Sequence, residues 1–186
     1  MKTKYRCAWC EKDDLYRNYH DNEWGKPVYD DATIFEFLIL ETFQAGLSWY
    51  TVLAKRENFR KAFDDFDWNT IAHYSEEKMA ELAEDSGIIR NKLKIKATVT
   101  NAQAFLKVQE EFGTFSKYIW GFVNGKPIDN QPKNLGEVKA TTEISDKLSK
   151  DLKKRGFKFV GSTVVYAHMQ ATGMFNDHVM DCLTRK

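Results

Sequence analysis

The stretch IFEFLILETFQAG, residues 34–46, decides the fold class of this chain because its apolar side chains recur at helical spacing. Apolar residues separated by three or four positions lie on one face of an α-helix, whereas a half-buried strand needs strict alternation. An aspartate at position 30 or 31 can cap the N-terminus of this helix, and Gly46 suits its C-terminal end. The pattern therefore predicts a helix from about Asp31 to Ala45.

Helical spacing recurs along the rest of the 186-residue chain, and strict alternation over the length of a strand is hard to find. We therefore predict an all-α fold in a single domain covering residues 1–186. Residues 123–142 are predicted to be irregular. One further helix is predicted to follow the cap Ser48, with apolar contacts up to Phe63. A long helix is predicted to follow the turn DSGIIRN (85–91) and to run to about Glu111. The other predicted helices cover residues 68–73, 75–84, 114–122, 143–155 and 159–172.

Composition limits the possible compartments. The sequence has no apolar run that could span a bilayer, and its basic N-terminus lacks the hydrophobic segment of a signal peptide. The three cysteines have an odd count and uneven spacing, which makes a poor disulfide framework. We therefore expect a protein of the reducing cytoplasm with no membrane partner, and a monomer by default.

The net charge of +1 means that any binding of nucleic acid would depend on local basic segments. Two such segments are present, RNKLKIK at 90–96 and KDLKKRGFKF at 150–159. Acidic residues concentrate elsewhere, at 63–67 and 76–85, so the folded chain could present one basic face. For either segment alone, a solvated helix surface is the simpler interpretation.

One carboxylate occupies a position on the helix where an apolar side chain is expected. Glu41 follows Ile34 and Leu38 on the apolar face, whereas Glu36 lies elsewhere on the helix and has an ordinary solvent-facing explanation. Burying an unpaired charge costs several kcal/mol or raises the pKa until the group is neutral. Glu41 is therefore predicted either to form an ion pair with a Lys or Arg of another helix or to have a function.

Aromatic residues close in sequence favour a binding site around this carboxylate. Trp49 begins the next helix, and Tyr19, Trp24 and Trp9 could line the same pocket. The face of an aromatic ring attracts cations, and a carboxylate accepts hydrogen bonds from them, so such a pocket suits a flat cationic ligand. A tryptophan at the start of a helix is, by itself, more often part of the core.

The two ends of the chain each contain a histidine with a cysteine nearby. Near the C-terminus, NDHVMDC contains His178 and Cys182, whose spacing would place both on one face of a helical turn. Near the N-terminus, YHDNEWG contributes His20, and Cys7 or Cys10 can complete a Cys2His2 set. Four protein ligands make a closed, structural zinc site that ties the chain termini together. The alternative is that the thiols are buried and inert and that His20 only forms hydrogen bonds.

Six segments together resemble the 3-methyladenine DNA glycosylase I family, in order and in spacing, over nearly the whole chain. The segments are RCAW (6–9), YHDNEWG (19–25), LETFQAGLSW (40–49), GIIRNKLKI (87–95), LSKDLKKRGFKFVG (148–161) and NDHVMDC (176–182). GIIRN alone would be weak evidence, but the six motifs together are highly specific. The resemblance implies an all-α, helix-hairpin-helix DNA glycosylase fold with its hairpin motif at about 75–111 and a structural zinc joining the N- and C-termini.

The resemblance also implies roles for individual residues. The zinc ligands that it implies, from segments 7–20 and 178–182, are Cys7, His20, His178 and Cys182. The catalytic, base-recognising glutamate would be Glu41, and the substrate-binding residues around it would be Tyr19, Trp49, Trp9, Tyr16, Trp24 and Gln44. The DNA-binding residues would be Gly46 and Leu47, which insert into the base stack, and Gly87, Arg90, Lys92 and Lys94. Asp21 and Glu23 are left with supporting or capping roles.

The activity that the resemblance implies is hydrolysis of the N-glycosidic bond of 3-methyladenine in alkylated double-stranded DNA, which releases the free base. Many helix-hairpin-helix glycosylases use an aspartate after the hairpin, but TVTNAQAF (98–105) contains none. The implied enzyme is therefore a monofunctional hydrolase without that aspartate. Two rival hypotheses are a zinc-stapled helical module that binds DNA without chemistry and a plain helical interaction domain.

Overall fold

The computed structural model describes residues 5–185 and consists mostly of helices. The α-helices, in chain order, are α1 (Asp14–Asn22), α2 (Asp31–Gln44), α3 (Trp49–Leu53), α4 (Arg56–Ala62), α5 (Trp68–Ile71), α6 (Glu76–Glu84), α7 (Lys92–Phe112), α8 (Phe115–Gly121), α9 (Glu143–Lys154) and α10 (Ser162–Ala171). Short 3-10 helices are Ala8–Cys10, Asp64–Phe66 and Leu135–Glu137. Two strands of two residues each, β1 (Ile128–Asp129) and β2 (Phe175–Asn176), pair in parallel.

Helix α2 lies at the centre of the fold. It packs against α3, α7, α8 and α10, and every residue from Ile34 to Phe43 except Glu36 is buried. The helix is thus buried on nearly all sides, which is more than the single apolar face expected from the sequence. We expected Glu36 to face solvent. Its carboxylate instead forms an ion pair with Arg60 of α4, and the side chain is only partly exposed.

Side-chain caps define where several predicted helices begin. The Asp30 carboxylate accepts a hydrogen bond from the backbone N–H of residue 33, and Ser48, Asp67 and Ser75 cap α3, α5 and α6 in the same manner. Each cap satisfies a backbone donor that has no partner inside the helix. These four predicted helix starts are confirmed, as is the long α7 that follows the turn at 85–91.

Several boundaries differ from the predictions for local reasons. The predicted helix after Ser48 is divided into α3 and α4 at Ala54 and Lys55. Helix α10 begins at Ser162 rather than at 159, because Phe159 has a positive φ of 56° that no α-helix contains. Helix α1, formed by part of YHDNEWG and the residues before it, was not predicted.

The two ends of the described chain lie side by side. Tyr5 and Cys182 form an isolated parallel bridge, in which the Tyr5 N–H donates to Asp181 and the Tyr5 carbonyl accepts from Leu183. Residues 177–185 contain no helix, so the helical turn predicted for NDHVMDC is wrong, although its histidine and cysteine still lie together. Among residues 5–185, no helix is both long and apolar enough to cross a bilayer.

The first residue of α2 also holds α8 in place. The Asp31 carboxylate accepts hydrogen bonds from the backbone N–H groups of Phe115 and Ser116, at 2.9 and 2.8 Å, and from the Gln109 amide at 2.7 Å. A carboxylate at a helix N-terminus also interacts favourably with the helix dipole. This side chain therefore joins the central helix to the α7–α8 corner.

We predict that Asp31→Ala lowers the free energy of unfolding by about 2 kcal/mol, because three hydrogen bonds to a charged group are lost and two backbone donors lose their partner. In a chain of this length that corresponds to a fall in melting temperature of roughly 4–8 °C. The matched control is Glu110→Ala, which removes an exposed carboxylate from α7. Equal melting temperatures for the two variants, measured by circular dichroism, would contradict this role.

Candidate active site and metal site

A cavity of about 160 Å³ opens between α1, α2, α3 and α10. It is smaller than the roughly 300–1,000 Å³ typical of sites for drug-sized ligands, so it suits a single small ring system. The residues that line it are Trp9, Tyr16, Tyr19, Trp24, Glu41, Gln44, Trp49, Ala167 and Gln170. The structure thus brings together all seven predicted pocket residues and adds two residues from α10.

The walls of the cavity are mainly aromatic. Trp9 lies between Tyr16 and Trp24, with ring centroids 4.9 and 5.1 Å away, and Tyr19 contacts Trp49 with centroids 5.4 Å apart. Helix α1 places both Tyr16 and Tyr19 in the cavity wall, because residues three positions apart project from the same face of a helix. The rings provide flat, rigid surfaces on which a planar ligand can stack.

The Glu41 carboxyl group is buried beside these rings without a counter-ion. Only 3 % of the residue is exposed, and its Oε2 atom has no hydrogen-bond partner in the described chain. Burial raises the pKa of Glu41 to about 8, because a desolvated carboxylate is disfavoured relative to the neutral acid. The alternative of an ion pair with a Lys or Arg is therefore wrong. Ionisation of this carboxyl group is unfavourable in the folded chain because no cation offsets its burial.

Nearby arginines bind other carboxylates. Arg56 donates two hydrogen bonds to Glu23, at 2.6 and 2.9 Å, and Arg60 donates to Glu36 at 2.7 Å. Glu23 therefore has the supporting role that we expected of it, since it holds the loop after α1 against α4. These pairings leave Glu41 as the pocket carboxylate that a cationic ligand could meet.

The pocket also contains an unsatisfied donor. The indole Nε1 of Trp49 is buried and has no hydrogen-bond partner within residues 5–185. In that part of the chain, Glu41 Oε2 and Trp49 Nε1 are the two buried side-chain atoms in this state, and both belong to residues that line the cavity. Buried polar groups are nearly always hydrogen-bonded, so one acceptor and one donor left free in one pocket indicate a ligand with complementary groups.

Sequence reasoning missed Ala167 and Gln170. Both lie on α10, three positions apart and therefore on one face. A glutamine within an otherwise apolar helix could have been noticed by the same argument that identified Glu41. Ala167 gave no comparable signal, because a small residue is ordinary in any buried helix.

A second cluster lies beside the pocket and could hold a metal ion. The ligand atoms of Cys7, His20, His178 and Cys182 lie within 4.8 Å of one another, and all four residues are buried. The Cys182 sulfur lies 3.5 Å from His20 Nε2 and 3.5 Å from His178 Nδ1, and the Cys7 sulfur lies 3.8 Å from His178 Nδ1. Tetrahedral coordination with ordinary Zn–N and Zn–S bonds gives ligand separations of about 3.3–3.8 Å, so these distances fit.

The remaining ring nitrogens of both histidines are occupied by other groups. His20 Nδ1 lies 2.8 Å from the Asp21 carboxylate, which Arg6 also binds, and His178 Nε2 lies 3.1 Å from the Trp24 carbonyl. Such contacts fix the tautomer and orientation of a metal-binding imidazole. Asp21 thus has the supporting role expected from the sequence.

The two N-terminal cysteines differ in where their sulfur points. Cys10 donates to the Cys7 carbonyl at 3.1 Å and is not part of the cluster, so Cys7 is the residue placed to bind a metal. Hydrogen bonds to the Cys182 sulfur from Cys7 and from both histidines lower the pKa of Cys182. A thiolate is the form that binds metal ions.

Gly25 allows the loop after α1 to lie directly against His178. Its φ is +76°, and a Cβ atom at this position would lie 2.9 Å from His178 Nε2. Trp24 packs against His178 with ring centroids 4.6 Å apart, and Trp9 packs against His20 at 5.3 Å. The metal cluster therefore shares two tryptophans with the pocket.

The turn between α6 and α7 exposes part of the first basic segment. Arg90 and Lys92 are exposed, while Gly87 is held against α4 by hydrogen bonds from Lys55 and Asn58 to its carbonyl group. After α2, Gly46 has a φ of +81° and Leu47 projects into solvent beside the cavity. The DNA contacts expected at these exposed or half-buried positions stay predictions.

Lys94, which we expected to contact a phosphate, does not face the surface. The side chain is buried, and its ammonium group donates to the carbonyl groups of Phe43 and Ala45 at 2.8 and 2.7 Å. Burial lowers the pKa of this lysine. Lys94 therefore caps the C-terminal end of α2, where the carbonyl groups otherwise lack partners, and its ammonium is not available to a phosphate.

The two basic segments meet on the surface. Lys96 of α7 and Lys158 of the loop before α10 line one surface groove, together with the exposed Leu93 and Phe159. The Asn101 side chain holds the loop through hydrogen bonds with the backbone of Lys158. The two segments thus meet at one groove, to which each contributes a lysine.

An aromatic pocket that encloses a buried acid, on a helical scaffold with an exposed basic turn between α6 and α7, suits a DNA glycosylase, an enzyme that takes a base out of the duplex. Comparison with known proteins agrees with this class. The family described as methyladenine glycosylase matches residues 9–186, and the chain belongs to that family.

Individual relatives are similar over nearly their whole length. DNA-3-methyladenine glycosylase 1 of Escherichia coli (strain K12) is 50 % identical over 177 residues, which cover 95 % of each chain. A crystal structure of a 3-methyladenine DNA glycosylase I is 48 % identical, with a TM-score of 0.94 and coverage of 98 % of this chain and all of the other. A 3-methyladenine DNA glycosylase I from Staphylococcus aureus, solved to study its recognition of 3-methyladenine, is 38 % identical, with a TM-score of 0.95 and coverage of 100 % and 98 %.

Glu41 should make stability depend on pH. Between its ordinary pKa of 4.5 and its raised pKa of about 8, the folded protein keeps a proton on Glu41 that the unfolded chain has released. The unfolded state therefore binds fewer protons, and stability falls as pH rises through this window. We predict that Glu41→Gln, which has no charge to bury, becomes progressively more stable than the wild type, by up to ~1.4 kcal/mol per pH unit.

The measurement is a melting temperature for both proteins at intervals from pH 5 to pH 9. Glu84→Gln, which removes an exposed carboxylate from α6, is the matched control and should differ from the wild type by a constant amount. Parallel curves for Glu41→Gln and the wild type would show that Glu41 titrates like an exposed side chain.

Proposed function

We propose that this protein hydrolyses the N-glycosidic bond of 3-methyladenine in alkylated double-stranded DNA, releasing the free base and leaving an abasic site. The single observation that carries the proposal is the unpaired Glu41 carboxyl group inside an aromatic cavity of about 160 Å³. Relatives at 50 % and 38 % identity that are named for this base support it.

The pocket suits a flat base that carries a positive charge. Alkylation at N3 leaves adenine positively charged in DNA, and the faces of the Trp and Tyr rings attract such a cation. Glu41 would accept a hydrogen bond from the amino group of the base, and Trp49 Nε1 would donate to a ring nitrogen. Both unsatisfied atoms of the pocket would then be paired.

Charge also gives a basis for selection against normal adenine. In the free enzyme the raised pKa keeps Glu41 largely neutral at pH 7. Entry of a cationic base favours the carboxylate, because the opposite charge offsets the desolvation that raised the pKa. A neutral adenine offers no such offset, so it gains less from the same pocket.

A charged base is a good leaving group, so the enzyme needs less acid or base assistance than it would for a neutral base. No lysine is among the residues that line the pocket, and the Lys94 ammonium is buried against backbone carbonyl groups. An amine nucleophile is therefore not offered by the pocket walls. These features support a monofunctional hydrolase that flips the base into the pocket and leaves the DNA strand uncut.

We infer that α6, the turn at 85–91 and α7 form the helix-hairpin-helix motif that binds DNA. Arg90 and Lys92 are exposed at this motif and would contact phosphates, which fix the position of the protein without reading sequence. Gly87 would present its backbone there. Gly46 and the exposed Leu47 lie beside the pocket and would enter the base stack in place of the flipped base.

We further propose that the Cys7, His20, His178 and Cys182 cluster holds one zinc ion. All four positions would be filled by protein side chains, so the ion would be structural and would tie the two ends of the chain together. The three cysteines are unpaired thiols, which supports the expected reducing cytoplasm.

The first functional prediction concerns Glu41. Glu41→Gln should reduce kcat/KM for release of 3-methyladenine from methylated duplex DNA by at least about a hundredfold, because the pocket loses the charge that favours a cationic base. Released base is measured by chromatography. Glu36→Gln, on the same helix but outside the pocket, is the matched control and should remain within a few-fold of the wild type.

Two outcomes would contradict the proposal. Undiminished excision by Glu41→Gln would remove Glu41 from the chemistry. A wild-type protein that binds methylated DNA but releases no base would instead support a DNA-binding module without catalytic activity.

The second functional prediction concerns the metal. Purified wild-type protein should contain about one zinc ion per chain by elemental analysis, and Cys182→Ser should lose it and melt at a lower temperature. Cys10→Ser is the matched control and should keep the zinc, because its sulfur lies outside the cluster. If the wild type holds no zinc and a chelator leaves its melting temperature unchanged, the structural-zinc proposal fails.

A further inference from the structure

Gln170 lines the pocket, and its hydrogen bonds determine which atom of its side-chain amide is free to bind a ligand. Its amide Nε2 donates to the Asp177 carboxylate at 2.7 Å. Its Oε1 atom makes no hydrogen bond within the described chain, and the residue lines the cavity together with Glu41. The free end of this side chain is therefore an acceptor.

Asp177 sets the orientation of the Gln170 amide. Asp177 is 1 % exposed, and its two oxygens accept from Tyr166 Oη at 2.6 Å, from Asn130 Nδ2 at 2.7 Å and from Gln170 Nε2. A carboxylate accepts hydrogen bonds and donates none, so it can face the nitrogen of an amide but not the oxygen. Turning the amide over would place two acceptors against each other in a buried site, and this contact is strongly unfavourable.

The backbone of Gln170 is also fixed. Its carbonyl accepts from the N–H of Gly25 at 3.1 Å and from the N–H of Gly173 at 3.1 Å, so the end of α10 is joined to the loop that carries Trp24. Both the main chain and the side-chain amide are therefore held before a ligand enters. Fixing a hydrogen-bonding group in advance is what allows it to discriminate between ligands.

We propose that Gln170 is a specificity-determining residue whose Oε1 accepts a hydrogen bond from the exocyclic amino group of the base, and that Asp177 positions it. The inference rests on the proposed function. Because the free Oε1 of Gln170 can only accept, the pocket favours a purine with an amino group at C6. A purine with a carbonyl oxygen there would face this acceptor and lose the hydrogen bond.

The test compares two free bases that differ at this one position. Quenching of the pocket tryptophans is titrated with 3-methyladenine, which has the amino group, and with 3-methylhypoxanthine, which has a carbonyl oxygen in its place. Wild-type protein should bind 3-methyladenine at least about tenfold more tightly, since the hydrogen bond to Gln170 is lost with the other base. Equal affinity of the wild type for the two bases would overturn the proposal without any mutation.

Variants then separate Gln170 from Glu41. Gln170→Leu should weaken binding of 3-methyladenine about tenfold and leave 3-methylhypoxanthine almost unchanged, so the ratio of the two affinities narrows. Asp177→Asn should also narrow the ratio of the affinities for the two bases, although Gln170 is still present. An amide at position 177 can both donate and accept, so it no longer fixes the orientation of the Gln170 amide. Thr163→Ala, at an exposed position on α10, is the control and should keep the wild-type ratio.

A purely structural role predicts a different pattern. Loss of packing would weaken both bases by the same factor, and an unchanged ratio in Gln170→Leu and Asp177→Asn would therefore overturn the proposal. Melting curves show whether each variant is folded at the titration temperature. If the wild type excises 3-methyladenine and the ratios do not change, only this inference fails, whereas a wild type that releases no base removes the proposed function itself.

Discussion

The burial of the Glu41 carboxyl group without a counter-ion is the constraint on which the rest of the structure depends. A flexible lysine or arginine would pair with this group if it could reach it, so the surrounding helices must keep such side chains away. Helix α2 is enclosed by α3, α7, α8 and α10, and cations near it have other partners: Arg56 binds Glu23, and Lys94 binds the end of α2. Glu41 therefore lines the cavity without a counter-ion from the described chain.

The aromatic walls create a second requirement, because many of them belong to a short N-terminal segment. Trp9, Tyr16, Tyr19 and Trp24 lie within the first 24 residues, and α1 spans only nine residues. A helix of that length has little stability by itself. The Cys2His2 cluster contacts Trp9 and Trp24 directly, so a metal bound there would stabilise the pocket walls.

The sequence predicted those features that depend on one residue type in an unusual position. Glu41 interrupts an apolar helix face. The chain has only four histidines and three cysteines, so few combinations could form a metal site. Features that depend on packing between distant segments were not predictable. A lysine beside Arg90 and Lys92 looks like a phosphate contact, and only the fold shows that the long side chain of Lys94 turns inward to the end of α2. The role of Gln170 likewise depends on Asp177, which β2 brings to α10.

A DNA-binding protein with an acidic pocket must solve a conflict between two charges. Phosphates would be repelled by an ionised carboxylate close to the base, yet a cationic base is attracted by it. In the proposed function, the raised pKa of Glu41 would resolve this conflict, because the group is largely neutral at pH 7 while the exposed cations Arg90 and Lys92 would contact the phosphates. The negative charge would develop only when the cationic base enters, so the burial that destabilises the folded chain would let one pocket approach DNA and still select a charged base.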